Sequence, residues 1–145
     1  MFVKDIGPDG LSLWMQERIE EDKSSELHGM MEFPGGKIEN GESSEEAARR
    51  EVEEEVGITV KDYLPIFKRH SYTRKDKTIL LHVHFSNVED LPLDKGEWFS
   101  LKYETKSEHL KGKIPAVNHE FIDLFLGYIK KQREAEFLER LWQRS

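Results

Sequence analysis

Between Gly36 and Ile58 the chain reads GKIENGESSEEAARREVEEEVGI, a stretch punctuated as a helix at both ends and burdened with charge where a helix tolerates it least. Ser43 with Glu46 makes a capping box, which opens a helix by satisfying its first free amides. Ala48, Val52 and Val56 follow at steps of four and give the helix a core face, and Gly57 supplies the C-terminal stop. Glu51, Glu54 and Glu55 then fall at i, i+3 and i+4, on one face and in the last turn. They repel one another at the end where the helix dipole is already negative and where Lys or Arg would stabilise. Carboxylates crowded against both effects point to a divalent hard cation, Mg²⁺ or Mn²⁺, and through it to phosphate chemistry. The bland alternative for such a run is a solvated acidic face.

The rest of the sequence bounds what surrounds this helix. With 145 residues, 37% of them hydrophobic and 10% aromatic, a single domain over 1–145 with its own core is expected. A net charge of −7 argues against a stable nucleic-acid partner, whose binding needs a basic surface, while phosphates remain accessible to a metal-bearing site. Without Cys, neither disulfides nor a thiolate zinc site are available. Lys4, Asp5 and Pro8 interrupt the opening before a signal-peptide core forms, and no apolar run is long enough to span a membrane. The expectation is a soluble, cytoplasmic protein.

Along the chain, Pro8-Asp9-Gly10 reads as the turn of a hairpin leading into LSLWMQE, where Leu11, Leu13 and Met15 alternate with Ser12, Trp14 and Gln16. Residues 19–29 read as a charged loop, and Met31–Phe33 as a short strand stopped by Pro34-Gly35-Gly36. Strands are expected at Tyr63–Tyr72 and Thr78–Phe85, joined by the turn Arg74-Lys75-Asp76-Lys77, and at Glu97–Leu101. From Val117 the pattern is helical, with one apolar stripe of Phe121, Leu124, Phe125, Tyr128 and Ile129. A second stripe, Phe137, Leu138, Leu141 and Trp142, follows the polar segment KKQREAE. This order predicts an α/β layer fold, a mixed sheet with helices packed on it.

The charged stretch matches the Nudix box, G-x5-E-x7-R-E-U-x-E-E-x-G-U with U aliphatic, at Gly36, Glu42, Arg50, Glu51, Val52, Glu54, Glu55, Gly57 and Ile58. Around it, Glu32-Phe33-Pro34-Gly35-Gly36-Lys37-Ile38-Glu39, Gly96-Glu97-Trp98 and Pro115-Ala116-Val117-Asn118 resemble the MutT-like branch of the Nudix hydrolases, and the likeness covers roughly residues 4–130. The resemblance implies a mixed β-sheet sandwiched between α-helices, with a C-terminal helical extension at about 130–145 that the family pattern lacks. The first strand is also shorter than the pattern, and that strand normally helps to wall the base pocket. The resemblance further implies metal-dependent hydrolysis of a nucleoside triphosphate to monophosphate and pyrophosphate, a purine first and an oxidised one such as 8-oxo-dGTP among them.

Roles follow by the same resemblance. Glu51, Glu54, Glu55 and Glu97 are metal ligands, with the Gly35 carbonyl beside them. Glu54 or Glu97 serves as base, Arg50 holds a catalytic Glu in place, and Glu42 supports from behind. Lys37 contacts phosphate, and Arg18, Glu32 and Asn118 form the base pocket. Asn118 is equally suited to capping the last helix, since caps prefer Asn. His82 and His84 share one sheet face and read as surface strand residues, with no zinc set to complete. An RNA 5′-pyrophosphohydrolase and a nucleoside-diphosphate-sugar hydrolase share the metal site, and a non-catalytic nucleotide-sensing module shares the fold. The second apolar stripe packs either back on its own sheet or against a partner; its separation by KKQREAE favours a homodimer.

Overall fold

In the computed structural model, which describes residues 1–61 and 66–144, one strand organises the rest. It is β2 (Gly10–Glu17), which pairs antiparallel with β1 (Phe2–Asp5), with β6 (Glu97–Lys102) and, at its far end, with β3 (Met31–Glu32). The chain opens as the expected hairpin, with Asp5 opposite Leu11. A second hairpin joins β4 (Ile66–Arg74) to β5 (Lys77–His84). Its two-residue turn puts Lys75 and Asp76 at φ 49° and 61°, the left-handed pair that a tight hairpin demands. Just past β5, Ser86 bridges Phe2 in parallel, exchanging backbone hydrogen bonds of 2.8 and 2.9 Å with Val3 and Met1. That bridge joins the hairpin to the main sheet and makes the sheet mixed. Of the strand expected at 63–72, Tyr63, Leu64 and Pro65 lie outside the described residues.

Two helices cover the two faces of β2. Leu11, Leu13 and Met15 pack with Phe121, Ile122, Phe125 and Leu126 of α2 (Ala116–Arg144). Trp14 packs with Phe2 and with Val52 and Val56 of α1 (Ser44–Val56). The simple alternation read in LSLWMQE therefore needs correcting: Ser12 and Trp14 are as buried as their neighbours, because this strand lies between layers. Ser12 is satisfied there by a 3.2 Å hydrogen bond with the Ser100 hydroxyl. Among the described residues no helix is long and apolar enough to cross a membrane.

Three further expectations change in detail. Ala47 rather than Ala48 is the buried alanine of α1, with Ala48 packed at the edge of the same cluster. His84 is buried, not a surface residue: α1 lies over it, and its Nε2 shares a 2.9 Å hydrogen bond with Ser44 Oγ. On α2 the buried stripe is Phe121, Ile122, Phe125 and Leu126, while Leu124 and Tyr128 face solvent. The helix runs unbroken through the extension and does not turn back on the sheet. Arg133 anchors it, paired with Asp5, bonded to the Gly7 carbonyl and lying 5.7 Å from the centre of the Tyr103 ring. Beyond it Phe137, Leu138, Leu141 and Trp142 are all exposed.

Two glycines separate the cost of crowding from the cost of flexibility. A Cβ on Gly10 would lie 2.0 Å from the Leu101 carbonyl oxygen, backbone that can yield only by opening the β2–β6 pairing. On Gly127, inside α2, a Cβ would meet nothing within 4 Å. Gly10→Ala should therefore destabilise by about 2–3 kcal/mol, as overpacking does, and Gly127→Ala should stabilise by about 0.5–1 kcal/mol through helix propensity. Urea unfolding of the two variants reads both signs.

Candidate active site

The site is built where the 34–42 loop folds against the last turns of α1. Ser43 caps the helix, its hydroxyl accepting from the Glu46 amide at 3.1 Å, and Gly57 closes it at φ 81° with its amide donating to the Glu53 and Val52 carbonyls. The first turn carries Glu45 and Glu46 and the last turn carries no basic residue. The negative end of the helix dipole thus meets Glu54 and Glu55 with no basic residue in that turn to offset it, Arg50 reaching Glu54 from one turn earlier at 3.4 Å.

Arg50 ties the loop to the helix. Its guanidinium donates to both Glu42 oxygens at 2.7 and 3.1 Å, to Glu51 Oε1 at 3.0 Å and to the Lys37 carbonyl at 2.9 Å, and approaches Glu54 at 3.4 Å. A planar fork with five donors is the side chain that can do this, and Lys is not. The same bonds hold the Glu42 carboxyl below the usual carboxylate range, helped by the Glu39 amide at 2.7 Å. The Arg50 guanidinium is pushed up in turn, by Glu42 first and then by Glu51. Gly36 is a glycine for a local reason: a Cβ there would stand 2.3 Å from Glu51 Oε1.

Gly35 donates its amide to Glu55 Oε2 at 2.8 Å. Even so, the Glu55 carboxyl is pushed up to about 7, chiefly by burial and then by the neighbouring Glu51, Glu32 and Glu54 carboxylates, against the pull of that amide. Glu54 is the outermost, its side chain 60% exposed. Among the described residues no three His, Asp or Glu side chains stand close enough to form a ready-made metal cluster, because Glu51 is turned to Arg50 and Glu55 to Gly35. The donor set nonetheless fits a hard cation: carboxylates on one face, one of them half-buried without a counter-charge.

The remaining candidates fall into two places. Arg18 and Glu32 are brought together, Nη1 to Oε2 at 3.1 Å, while Arg18 Nε donates to Glu20 at 2.7 Å. Burial pushes the Glu32 carboxyl up, with Arg18 pulling it partly back. Lys37 is exposed. Glu97 opens β6 opposite Met15, so it projects to the α2 side of the sheet, away from Trp14 and the α1 core. There it lines a cavity of about 440 Å³ together with Glu26, His28, Met31, Phe99 and Lys113. Asn118 is buried one turn into α2. The helix begins at Ala116 and the Asn118 amide donates to the Pro115 carbonyl at 2.9 Å, so Asn118 is not the cap. His119 and Asp123, both bonded to the buried Ser107 hydroxyl at 2.7 and 2.6 Å, fix that turn in place. Glu26, His28 and Lys113 escaped the sequence reading, since polar residues in a loop carry no periodicity to betray them.

A family model described as the NUDIX domain matches residues 6–125. The chain belongs to the Nudix family. Among curated relatives, the CTP pyrophosphohydrolase of Escherichia coli is 36% identical over 126 residues, covering 84% of this chain and 87% of that protein. The 8-oxo-dGTP diphosphatase of Escherichia coli is 43% identical over 76 residues, covering 49% of this chain and 58% of that protein. This chain spans about half the length of the curated 8-oxo-dGTP diphosphatases that it matches. The solution structure of the E. coli ORF135 protein superposes with a TM-score of 0.60 at 22% identity, covering 86% of this chain and 83% of that one. The Nudix fold expected from the box is thus the fold observed.

Glu55 gives the site a pH signature. A carboxyl whose folded value lies near 7, above its ordinary value, favours folding below the unfolded value and loses that contribution as pH rises through about 7. Metal-free protein should therefore weaken relative to its Glu55→Gln variant between pH 5 and 8, by on the order of 1 kcal/mol once solvent screening of a half-buried group is allowed for. Denaturant midpoints of the two proteins across that range test it. A difference independent of pH would remove Glu55 as an uncompensated carboxyl.

Proposed function

We propose that this chain hydrolyses a nucleoside triphosphate to the monophosphate and pyrophosphate, with Mg²⁺ or Mn²⁺ held at the last turn of α1. Glu55 carries the reading: its carboxyl is half-buried among Glu51, Glu32 and Glu54 with the Gly35 amide on it at 2.8 Å, an arrangement that a hard cation would relieve. When bound, the metal neutralises phosphate charge and lowers the pKa of the attacking water. Glu51, Glu54 and Glu55 are its ligands, with the Gly35 carbonyl; Glu97, expected as a fourth carboxylate, projects to the α2 face and lies outside this set. Glu54, exposed and at the rim, takes the water's proton; Glu97, the other candidate base, lies across the sheet from it. Arg50 keeps Glu51 aimed by its 3.0 Å bond, and Glu42 keeps Arg50 aimed by its two. Lys37 meets phosphate, and Arg18, Glu32 and Asn118 meet the base. Purine triphosphates, 8-oxo-dGTP among them, are the first substrate class, with CTP as the control that the relatives' names supply. We assign the work to the cytoplasm, where such substrates occur, and a net charge of −7 argues against a stable nucleic-acid partner.

Glu54→Gln replaces a charged oxygen donor with a neutral one of the same shape. It should lower kcat at least about a hundredfold, the low end for losing acid–base or metal assistance, while circular dichroism stays unchanged. Pyrophosphate, not phosphate, should be the released product. Near-wild-type turnover in the variant would overturn the assignment.

The proposed assembly is a homodimer through the exposed end of α2. Phe137, Leu138, Leu141 and Trp142 lie past Arg133 and are all exposed, an apolar patch of the kind that a second copy of the chain would cover. Light scattering should give a dimer for the full chain and a monomer for a chain ending at Arg133, cut there because Arg133 still anchors the helix to Asp5 and Gly7. A full-length monomer sinks this assembly.

A further inference from the structure

The 19–29 connection between β2 and β3 is charged, and by composition alone it is an ordinary surface loop. Its backbone is nevertheless closed. The Arg18 amide donates to the Met30 carbonyl and the Gly29 amide to the Arg18 carbonyl, both at 2.8 Å, and the His28 amide donates to the Ser25 carbonyl at 3.1 Å. His28 is also fixed by its ring, since the Glu20 amide donates to Nδ1 at 3.1 Å. A nitrogen that accepts carries no proton, so the ring proton sits on Nε2. His28 lines the 440 Å³ cavity, within the size range of small-molecule sites. With Nδ1 occupied, a polar contact from this ring to a ligand is made by Nε2–H, a donor held in one place.

The cavity has the other parts of a base site. Met31 and Phe99 offer apolar surface, and Glu26 offers an acceptor. Met31 donates its amide to the Lys113 carbonyl at 2.8 Å, which joins this wall to the segment leading into α2 and Asn118. Glu97 stands in the same cavity.

We propose that His28 is a specificity-determining residue that reads the base through Nε2–H and selects a 6-oxo purine, the guanine type, over a 6-amino purine; this rests on the nucleotide hydrolysis proposed above. A fixed donor meets an acceptor in the 6-oxo group and another donor in the 6-amino group. Glu26 then accepts from the adjacent ring and exocyclic N–H of guanine. A site that reads a base by such groups disfavours the mismatched edge, because a donor then faces a donor and goes unpaired.

The test uses full-length protein with Mg²⁺ and GTP or ATP, in the wild type and in three variants. His28→Ala removes the ring. His28→Asn keeps an acceptor for the Glu20 amide but falls short of the cavity, and His28→Gln reaches as far as Nε2. The wild type should favour GTP over ATP by about tenfold or more in kcat/KM. His28→Ala and His28→Asn should each raise KM for GTP about tenfold, leave kcat within about twofold and leave ATP unchanged, with His28→Gln recovering part of the loss. A loss in His28→Ala that His28→Asn does not share would assign the effect to loop anchoring and overturn the proposal. So would an unchanged GTP to ATP ratio in an active His28→Asn. Titration of metal-free wild type with GMP, followed by the His28 ring proton in NMR, separates the two readings. GMP that moves this resonance, where AMP does not, in a protein inert toward every triphosphate sinks the hydrolysis and keeps the site. Activity without any GMP response sinks the site and keeps the hydrolysis.

Discussion

Burial of β2 on both faces is the constraint from which the rest of the molecule follows. A strand that pairs with β1, β6 and β3 and has helices above and below cannot slip by one residue, because every side chain would change layers. Trp14 and Met15 are neighbours in sequence and belong to different cores. The register they fix assigns each site residue to a side: Glu32 beside α1 and its carboxylates, Glu97 on the side of α2 and the cavity. The site is therefore two half-sites on opposite faces of one strand, and it is only as well aligned as that strand is rigid.

The α1 half is the part that sequence showed most fully. Ser43 and Gly57 bound the helix as expected, because capping is a local effect that needs no tertiary partner. Arg50 was readable as the residue that steadies a Glu, and it does contact Glu51. Its stronger bonds go to Glu42 and the Lys37 carbonyl, so its structural work is to hold the loop as much as the helix. That division depends on distances across the loop, which residue spacing does not contain.

What sequence showed poorly was everything that depends on crossing angles and coverage. Ala47 is the buried alanine although Ala48 is the one packed against the Phe2 and Trp14 cluster, so more than that cluster covers this turn. Leu124 and Tyr128 look like core residues by periodicity and face water because α2 presents Ile122 and Leu126 instead. His84 looks like a surface residue on a hairpin strand and is covered by Ser44, forty positions away. Asn118 has the composition of a cap, yet the helix starts two residues earlier, at Ala116. In each case local preference was outvoted by which face a neighbouring layer covered. The cavity wall at Glu26 and His28 belongs to the same class, since it exists only after the β2–β3 loop has closed on itself.

The shortest element joins the two halves. β3 has only two residues, and successive residues of a strand point to opposite faces. Glu32 turns toward α1, where its charge adds to the pressure on Glu55, and Met31 turns toward the cavity that holds Glu97 and His28. A ligand with an anionic tail at α1 and a planar head in the cavity has to pass around the end of this strand, beside the Arg18–Glu32 pair. The Arg18 side chain is bonded to Glu20 as well, and the Glu20 amide is the one that fixes His28. Any ligand group that draws Arg18 away from Glu32 or Glu20 therefore acts on both half-sites at once. It removes the cation that partly relieves the Glu32 carboxyl, and it loosens the residue on which the His28 ring depends.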